Sequence, residues 1–419
     1  MSEHQLFLIL AEVLVLVLAA RLGAEAAARL GIPAVVGEIV VGLLLGPSFF
    51  GWLWPGGFDA LFPPDATQRH LLELVGWIGV LFLVLSAGLE TRLGVLREHG
   101  RAVMLGWIGA FFLPFALGFG FGRVAPDALV GPEANRTTFA LFIGTAMSIS
   151  AIPVIARILM DLDLIRTRVG VLIMSTAVAD DTVGWFVLAV VTGLAKGEGL
   201  ALGSVAGTMA LTAVFVAVAF LGGPAFCRRA LRMSRRLRIP YGELSIVMLI
   251  VLLGAMVTQA IGVHLVLGAF VAGIQIRRTG LRLHESEGTV RAAGIGFFTP
   301  FFFAYTGLKV DLTTMRGSTI AATAVAIAIA CLGKFVGGSV GARMGGLSRW
   351  EAMGTGVGLN ARGAMELVIA TIGLSIGVLT PEGYAMLVLI ALSTTLMTAP
   401  LLRVAMRRMR DEAAEAPAA

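Results

Sequence analysis

The chain has 419 residues, of which 58% are apolar and only 14% are charged, and its mean hydropathy is +0.91. This composition leaves too little polar surface for a water-soluble domain of that length, so it indicates a membrane protein with many spanning helices. The net charge of +6 does not indicate a nucleic-acid-binding protein, because the arginines lie mostly in short segments between apolar runs.

Thirteen apolar segments are long enough to cross a bilayer as helices. They cover residues 6–22, 33–50, 71–90, 102–122, 137–160, 169–194, 201–226, 243–261, 263–278, 292–308, 317–341, 350–377 and 383–402. The N-terminal run lacks the basic region and the cleavage site of a signal peptide, so we interpret it as the first span. The sequence therefore predicts an all-α polytopic membrane protein with 13 transmembrane helices.

The distribution of Lys and Arg predicts the orientation of these spans. If the segments alternate in direction, 24 of the 32 basic residues fall in loops on one side and six fall on the other. Cytoplasmic loops carry the basic excess, which predicts a cytoplasmic C-terminus and an outside N-terminus in the cell (inner) membrane. The largest basic cluster lies at 228–238, and we interpret it as a topology anchor that also contacts anionic lipid head groups.

Two adjacent carboxylates, Asp180 and Asp181, lie about ten residues into the sixth span, near the middle of the bilayer. An ionisable side chain at that depth costs on the order of 3 kcal/mol or more, so such residues mark ion or proton sites that line a wet cavity. A neutralised structural pair between two helices is the alternative.

Lys334 lies deep in the eleventh span and is one of three lysines in the chain. A buried lysine pairs with a carboxylate, and the well-buried acids in the predicted spans are Asp180, Asp181, Glu366 and Glu38. We predict that Lys334 pairs with the two aspartates.

Three further charged side chains are predicted to have structural or gating roles. Arg362 precedes Glu366 by four residues, so the two would pair if the helix were continuous there. Glu38 lies about six residues into the second span, and we favour a structural or gating role for it over ion ligation.

An internal repeat relates the two halves of the chain. Residues 82–93 match residues 301–312 at a constant offset, and the charges near the end of the match are exchanged in sign. Spans one to six would then correspond to spans eight to thirteen, with the seventh as a connector. Because the connector crosses once, the sequence predicts inverted six-helix repeats.

The repeat pairs the fifth and twelfth spans, and both contain residues that interrupt helices. The fifth has clustered hydroxyls before Pro153, and the twelfth has four glycines between 354 and 363. We therefore predict two discontinuous helices that cross near the aspartates, with freed carbonyls able to face an ion. The possible additional ion ligands are Thr145, Ser148, Ser150 and Asn360.

Five stretches, 37–48, 82–93, 179–181, 333–334 and 360–367, together resemble the monovalent cation:proton antiporter-2 family of the sodium/proton exchanger superfamily, in its Kef and plant CHX branch. The resemblance covers nearly the whole chain. It implies a core domain with two crossing broken helices, a separate dimerisation domain, a homodimer, elevator-like alternating access and a role in pH homeostasis. The double aspartate resembles the branch usually regarded as electrogenic.

The resemblance also implies a domain division. The predicted domains are 1–95 and 241–312 for dimerisation, 96–196 and 313–410 for the core, 197–240 for a linker helix with its basic loop, and 411–419 for a short cytoplasmic tail. Kef-type proteins often carry a cytoplasmic nucleotide-binding domain, whereas this sequence has no Walker A motif and no GxGxxG motif. We do not expect ligand-gated efflux by that route.

The residues predict a transport mechanism and no enzymatic activity. In a poorly solvated cavity, burial and mutual repulsion favour a protonated aspartate, whereas a nearby ammonium or alkali cation favours an ionised one, so H⁺ and cation compete. Asp181 is assigned as main cation ligand and proton carrier, and Asp180 as the residue that exchanges an ion pair with Lys334. The reverse assignment of the two aspartates stays open.

The partners expected from this reading are H⁺, the lipid bilayer and a monovalent cation, with Na⁺ favoured and K⁺ or Li⁺ open. The two cysteines and five histidines have no metal-site spacing, so neither a metal centre nor a cofactor is expected. Two other classes stay open: a proton-translocating subunit of a respiratory complex, and a sodium-coupled organic-solute carrier of similar fold.

Overall fold

The computed structural model describes residues 3–90, 100–164, 167–195, 202–234, 240–261, 265–281, 283 and 286–415. Within these residues the regular structure is helical, apart from an isolated β-bridge between Val130 and Leu379. The α-helices are α1 (Glu3–Arg29), α2 (Ala34–Leu45), α3 (Pro55–Leu61), α4 (Ala66–Glu90), α5 (Gly100–Val124), α6 (Arg136–Ser148), α7 (Ile152–Asp161), α8 (Arg168–Ala195), α9 (Leu202–Ser234), α10 (Gly242–Ala260), α11 (Leu265–Arg278), α12 (Ser286–Ala293), α13 (Thr299–Leu308), α14 (Gly317–Met344), α15 (Arg349–Gly358), α16 (Ala364–Ser375) and α17 (Pro381–Glu415).

The helices confirm the predicted all-α membrane fold. Each of the thirteen apolar segments coincides with one helix or with a run of consecutive helices. Among the described residues, eight helices are long and apolar enough to cross a membrane without interruption. The number of crossings, thirteen, stays a prediction. The fifth and twelfth segments are each divided into two helices, as predicted: α6 with α7, and α15 with α16.

The chain forms two compact units. Unit 1 comprises residues 1–21, 54–91 and 189–305, and unit 2 comprises residues 22–53, 92–188 and 306–419. Unit 2 contains all the residues that the sequence predicts for the ion site, and also α2 with Glu38.

Glycine contacts show the internal repeat, because the same contact occurs once in each unit. In unit 2, a Cβ added to Gly37 of α2 would overlap the carbonyl oxygen of Gly23 in α1. In unit 1, a Cβ added to Gly268 of α11 would overlap the carbonyl oxygen of Gly254 in α10 in the same way. The two glycine pairs have the same spacing in sequence, so the same helix-to-helix contact occurs once in each half of the chain.

A second pair of contacts follows the same symmetry. Gly88 and Gly307, which the repeat places at equivalent positions, each pack against the backbone of a helix from the other half of the chain. The contacted residues are Phe270, Gly273 and Ile274 for Gly88, and Ile39, Gly42 and Leu43 for Gly307. Each member of the first set lies 231 residues after its counterpart in the second, which is the same offset that relates the Gly23–Gly37 pair to the Gly254–Gly268 pair. Residues 91–93 of the matched stretch lie outside the described part of the chain.

Close packing of α14 against α5 positions the lysine of unit 2. Gly333, Gly337 and Gly341 lie four residues apart on one ridge of α14, and each would overlap the backbone of α5 if it carried a Cβ. Gly338 packs against Gly356 of α15. Lys334 lies on the same ridge as Gly338, so it belongs to the face directed to the interrupted helices.

Unit 1 contains a buried carboxylate besides the four buried acids expected from the sequence. Glu12 of α1 is fully buried, and Gln68 Nε2 donates a hydrogen bond of 2.8 Å to its Oε2. The expectation that the well-buried acids were Asp180, Asp181, Glu366 and Glu38 was therefore incomplete. The signal was available, because Glu12 lies inside the apolar run of the first span.

The α5–α14 contact yields a stability prediction. Gly109→Ala places a methyl group against the Gly337 carbonyl, and overpacking of this kind lowers the free energy of unfolding by about 1–3 kcal/mol. The matched control is Gly120→Ala on the same helix, where a Cβ has no neighbour within 4 Å. We expect a lower midpoint of thermal unfolding in detergent for the first variant alone. Equal midpoints would contradict the packing.

Candidate functional site

The site is built around the C-terminal end of α6, which stops at Ser148 inside the fifth apolar segment. The last four carbonyls of a helix lack intrahelical partners, and in the hydrocarbon region water does not supply donors. The first of these four, Thr145 O, accepts a hydrogen bond of 2.9 Å from Ser148 Oγ. The other three accept from cationic side chains.

Arg362 binds the next two carbonyls. It lies in the break between α15 and α16, and its Nη1 donates to Ala146 O at 3.0 Å while its Nη2 donates to Met147 O. Nη1 also lies 3.4 Å from Glu366 Oε1, with both side chains buried. The sequence predicted this pair on the condition that the helix is continuous. The helix is interrupted between Gly358 and Ala364, as the glycines of the twelfth span predicted, and the two side chains still meet.

Lys334 binds the last carbonyl and a carboxylate at once. Its Nζ donates to Ser148 O and to Asp180 Oδ2, the latter at 2.7 Å, and both side chains are fully buried. Positive charge at the C-terminal end of α6 also complements the negative end of that helix dipole. The structure therefore places Lys334 beside the first of the two predicted aspartates.

Ser150 connects Asp180 to the second break, which is the segment between α15 and α16. Its Oγ lies 2.6 Å from Asp180 Oδ2 and 2.8 Å from Leu359 O. A serine hydroxyl carries one hydrogen, so it donates to one of these two acceptors at a time. Beside it, Ala151 N donates to Ala361 O at 3.1 Å, so the two breaks are joined through their backbones.

The second break is held by α17. Thr395 Oγ1 accepts from Arg362 N at 3.2 Å and donates to Arg362 O, and Asn360 Nδ2 lies 3.4 Å from Thr394 O. Gly363, the N-cap of α16, has a φ of 156°, a backbone conformation that residues with a side chain rarely adopt. These contacts fix the backbone that carries the Arg362 guanidinium.

The remaining predicted ligands have varied positions. Thr145 Oγ1 donates to Leu141 O, and Ser148 Oγ donates within α6 as described above, so both hydroxyls are engaged in their own helix. Glu38 is buried in α2. Asp181 belongs to α8, and its side chain lies outside the described part of the structure.

Three oxygen atoms of the predicted site residues remain available for coordination. Asp180 Oδ1, Asn360 Oδ1 and Glu366 Oε2 are buried and have no hydrogen-bond partner among the described residues. Oxygen ligands of this kind suit hard cations. Freed carbonyls at the breaks were predicted to be able to face an ion, and those of residues 146–148 accept from Arg362 and Lys334.

Comparison with known proteins identifies the family. The family model described as "Sodium/hydrogen exchanger, transmembrane" matches residues 13–404. The chain belongs to the sodium/hydrogen exchanger family. Membership of this exchanger family confirms the resemblance found in the sequence, and it places the chain among transporters and not among enzymes.

Relatives in this exchanger family can be aligned with nearly the whole length of this chain. It is 35% identical over 409 residues to the Na(+)/H(+) antiporter NhaS4 of Synechocystis, covering 96% of this chain and 98% of the relative. It is 32% identical to the Cation/H(+) antiporter 18 of Arabidopsis thaliana, covering 95% of this chain but only 49% of the plant protein. The chain thus spans about half the length of that relative.

The sodium proton antiporter MjNhaP1 from Methanocaldococcus jannaschii has a similar structure. Its TM-score is 0.67, with 97% of this chain and 98% of the other covered, at 16% sequence identity. Such a match shows a shared fold, and it confirms the predicted antiporter fold for this member of the exchanger family.

The capping role of Arg362 was missed from the sequence, and it yields a prediction. Arg362→Met leaves two carbonyls and Glu366 without their donor, and breaking a buried pair of this kind costs about 3–5 kcal/mol. Glu366→Gln also breaks the charge pair, but it leaves both carbonyl bonds of the guanidinium in place, so it should cost less than Arg362→Met. Thermal unfolding of the two variants in detergent measures the difference, and equal losses would contradict the capping role.

Proposed function

We propose that this protein is a monovalent cation:proton antiporter, with Na⁺ as the favoured cation and K⁺ or Li⁺ open. The observation that carries the proposal is the buried Asp180–Lys334 ion pair of 2.7 Å at the junction of two interrupted helices. The exchanger family and the antiporter relatives support it. Intramembrane charge at a helix break is the expected arrangement for a coupled transporter.

Competition between H⁺ and cation follows from the charges in the proposed site. With Asp180, Asp181 and Lys334 all ionised, the site has a net charge of −1, which one proton or one monovalent cation neutralises. Either ion, but not both, is then favoured in a site from which water is largely excluded. We propose that the cation binds the aspartates and displaces the Lys334 ammonium from Asp180, since the ammonium already holds the position of a bound cation.

In this proposal the protonation state of Asp180 decides which acceptor the Ser150 hydroxyl binds. When Asp180 is ionised, Ser150 donates to the carboxylate. When Oδ2 carries a proton, that proton is donated to Ser150 Oγ, and the serine hydrogen turns to Leu359 O. Proton binding at one carboxylate thus changes a hydrogen bond to the backbone between α15 and α16.

We further propose elevator-type alternating access, a homodimer and an outside N-terminus, as the family resemblance implies. In this proposal the core helices that hold Asp180, Asp181 and Lys334 move as one body, because their contacts include four buried ionisable side chains and a backbone hydrogen bond between the two breaks.

Asparagine substitution tests the proposed site. In proteoliposomes with a pH-sensitive dye inside, Asp180→Asn and Asp181→Asn should each abolish proton movement driven by Na⁺. Each variant removes one of the two carboxylates for which H⁺ and the cation compete. Asp59→Asn, at an exposed aspartate, is the matched control and should retain exchange. Exchange at the control rate in both site variants would exclude the two aspartates as the ion site.

A cation screen with an imposed membrane potential tests the charge balance. One-for-one replacement of a proton by the cation at the aspartates moves no net charge. If the displaced Lys334 ammonium also releases its proton, two protons move for each cation, and the exchange rate then depends on the sign of the potential. The screen compares Na⁺, Li⁺ and K⁺ gradients at inside-negative and inside-positive potentials. Rates that do not respond to the potential would show electroneutral exchange and contradict this step.

A further inference from the structure

An apolar groove in unit 1 is unrelated to the proposed ion site. It has a volume of about 450 Å³ and lies between α9, α10 and α11. Along α11 it extends from Gly268 to Gln275, which corresponds to a length of about 10 Å. Val218, Phe226 and Leu253 line it and are themselves substantially exposed, so the groove opens on the surface of the unit.

One end of the groove has an unsatisfied polar group. Gln275 lines the groove and is 2% exposed, and its Nε2 has no hydrogen-bond partner among the described residues. Its Oε1 accepts from Arg278 Nη1 at 3.0 Å, which fixes the amide orientation. A buried amide donor without an acceptor is costly in an apolar environment. The groove therefore fits a ligand that has an acceptor oxygen at this level and apolar length beyond it.

The same end of the groove is strongly basic. Arg278 is exposed, and its position is fixed by a hydrogen bond of 3.0 Å to Phe220 O and by its stacking over the Phe220 ring at 5.1 Å. On α9, Cys227 of the groove wall is followed directly by Arg228 and Arg229. Neither α9 nor α11 contains an acidic residue, and α10 has one, Glu243 in its first turn, whose Oε1 accepts a hydrogen bond of 3.1 Å from Ser286 Oγ. An anionic group at this end would meet several guanidinium groups and no carboxylate from these two helices.

We propose that the groove is a binding site for one anionic phospholipid. An acyl chain lies along the apolar wall, an ester carbonyl of the lipid accepts from Gln275 Nε2, and the phosphate pairs with Arg278 and the arginines at the end of α9. The groove is shorter than the hydrocarbon depth of one leaflet, about 15 Å, so it holds the part of the chain next to the glycerol. This end is the predicted cytoplasmic side, where anionic lipids concentrate.

Charge favours a lipid over a second copy of this chain as the occupant. A symmetric contact between two copies brings the same surface of each together, and here it would place the arginines of one copy against those of the other. An anionic head group neutralises them instead.

Filling the groove tests the proposal. Gly222 lines it, and a Cβ there has no neighbour within 4 Å, so Gly222→Leu fills the groove without an overlap at Cβ. Gly207→Leu is the matched control, since it lies on the same helix, has the same free space at Cβ and does not line the groove. Each protein is delipidated in detergent and titrated with phosphatidylglycerol or with phosphatidylcholine that has the same chains, and binding is measured by native mass spectrometry and by thermal unfolding.

We expect the wild type and Gly207→Leu to retain one phosphatidylglycerol and to be stabilised by it more than by phosphatidylcholine, and Gly222→Leu to lose both effects. Gln275→Leu, which removes the amide donor, should weaken binding about tenfold. Equal retention of phosphatidylglycerol in all variants would overturn the proposal, and so would equal binding of the two lipids. A change from dimer to monomer in Gly222→Leu alone, without a change in lipid binding, would assign the groove to a second copy.

If Gly222→Leu does not fold, Gln275→Leu and Arg278→Gln provide the test through the same two lipids. Glycerol phosphate, which has the head group without the chains, should not stabilise the protein. Stabilisation by glycerol phosphate equal to that by phosphatidylglycerol would contradict binding along the groove. None of these measurements depends on transport activity.

Discussion

The arrangement of unit 2 depends on four carbonyl groups at the end of α6. A helix that ends within the hydrocarbon region must find a donor for each of them, since an unsatisfied backbone group there costs several kcal/mol. Ser148, Arg362 and Lys334 supply these donors. This requirement explains why the second break must cross the first, and why α14 must approach closely enough for a lysine to reach α6. The glycine ridge on α14 makes that approach sterically allowed.

The two cations at this helix end differ in chemistry. A guanidinium stays charged and binds two acceptors in a fixed plane, whereas an ammonium can release its proton and rotate freely. Arg362, with two carbonyls and Glu366, is suited to hold the break permanently. Lys334, with one carbonyl and Asp180, is suited to leave and return. In the proposed mechanism the Arg362 contacts are kept throughout, and the contact of Lys334 with Asp180 is released when the cation binds.

The sequence predicted most of the architecture, because run length and hydropathy decide where helices cross a membrane. It also located both breaks and the lysine near Asp180, since glycine, proline and buried charge interrupt otherwise uniform segments. It could not predict which donors bind the freed carbonyls of 146–148, because that depends on the backbone path between Gly358 and Ala364. The burial of Glu12 is hard to predict for a different reason. A single glutamate barely lowers the hydropathy of its segment, and its partner Gln68 is distant in the chain.

The glycine contacts of the repeat determine when this protein can complete its fold during synthesis. Gly88 packs against residues 270–274, which lie more than 180 positions later, and Gly307 packs against residues 39–43. At ribosomal rates of about 5–20 residues per second, α4 waits roughly 10–40 s in the bilayer before its partner helix is made. During that interval its glycine surface is open to other helices. The first half of the chain must therefore remain in the bilayer without this contact until residues 270–274 have been made.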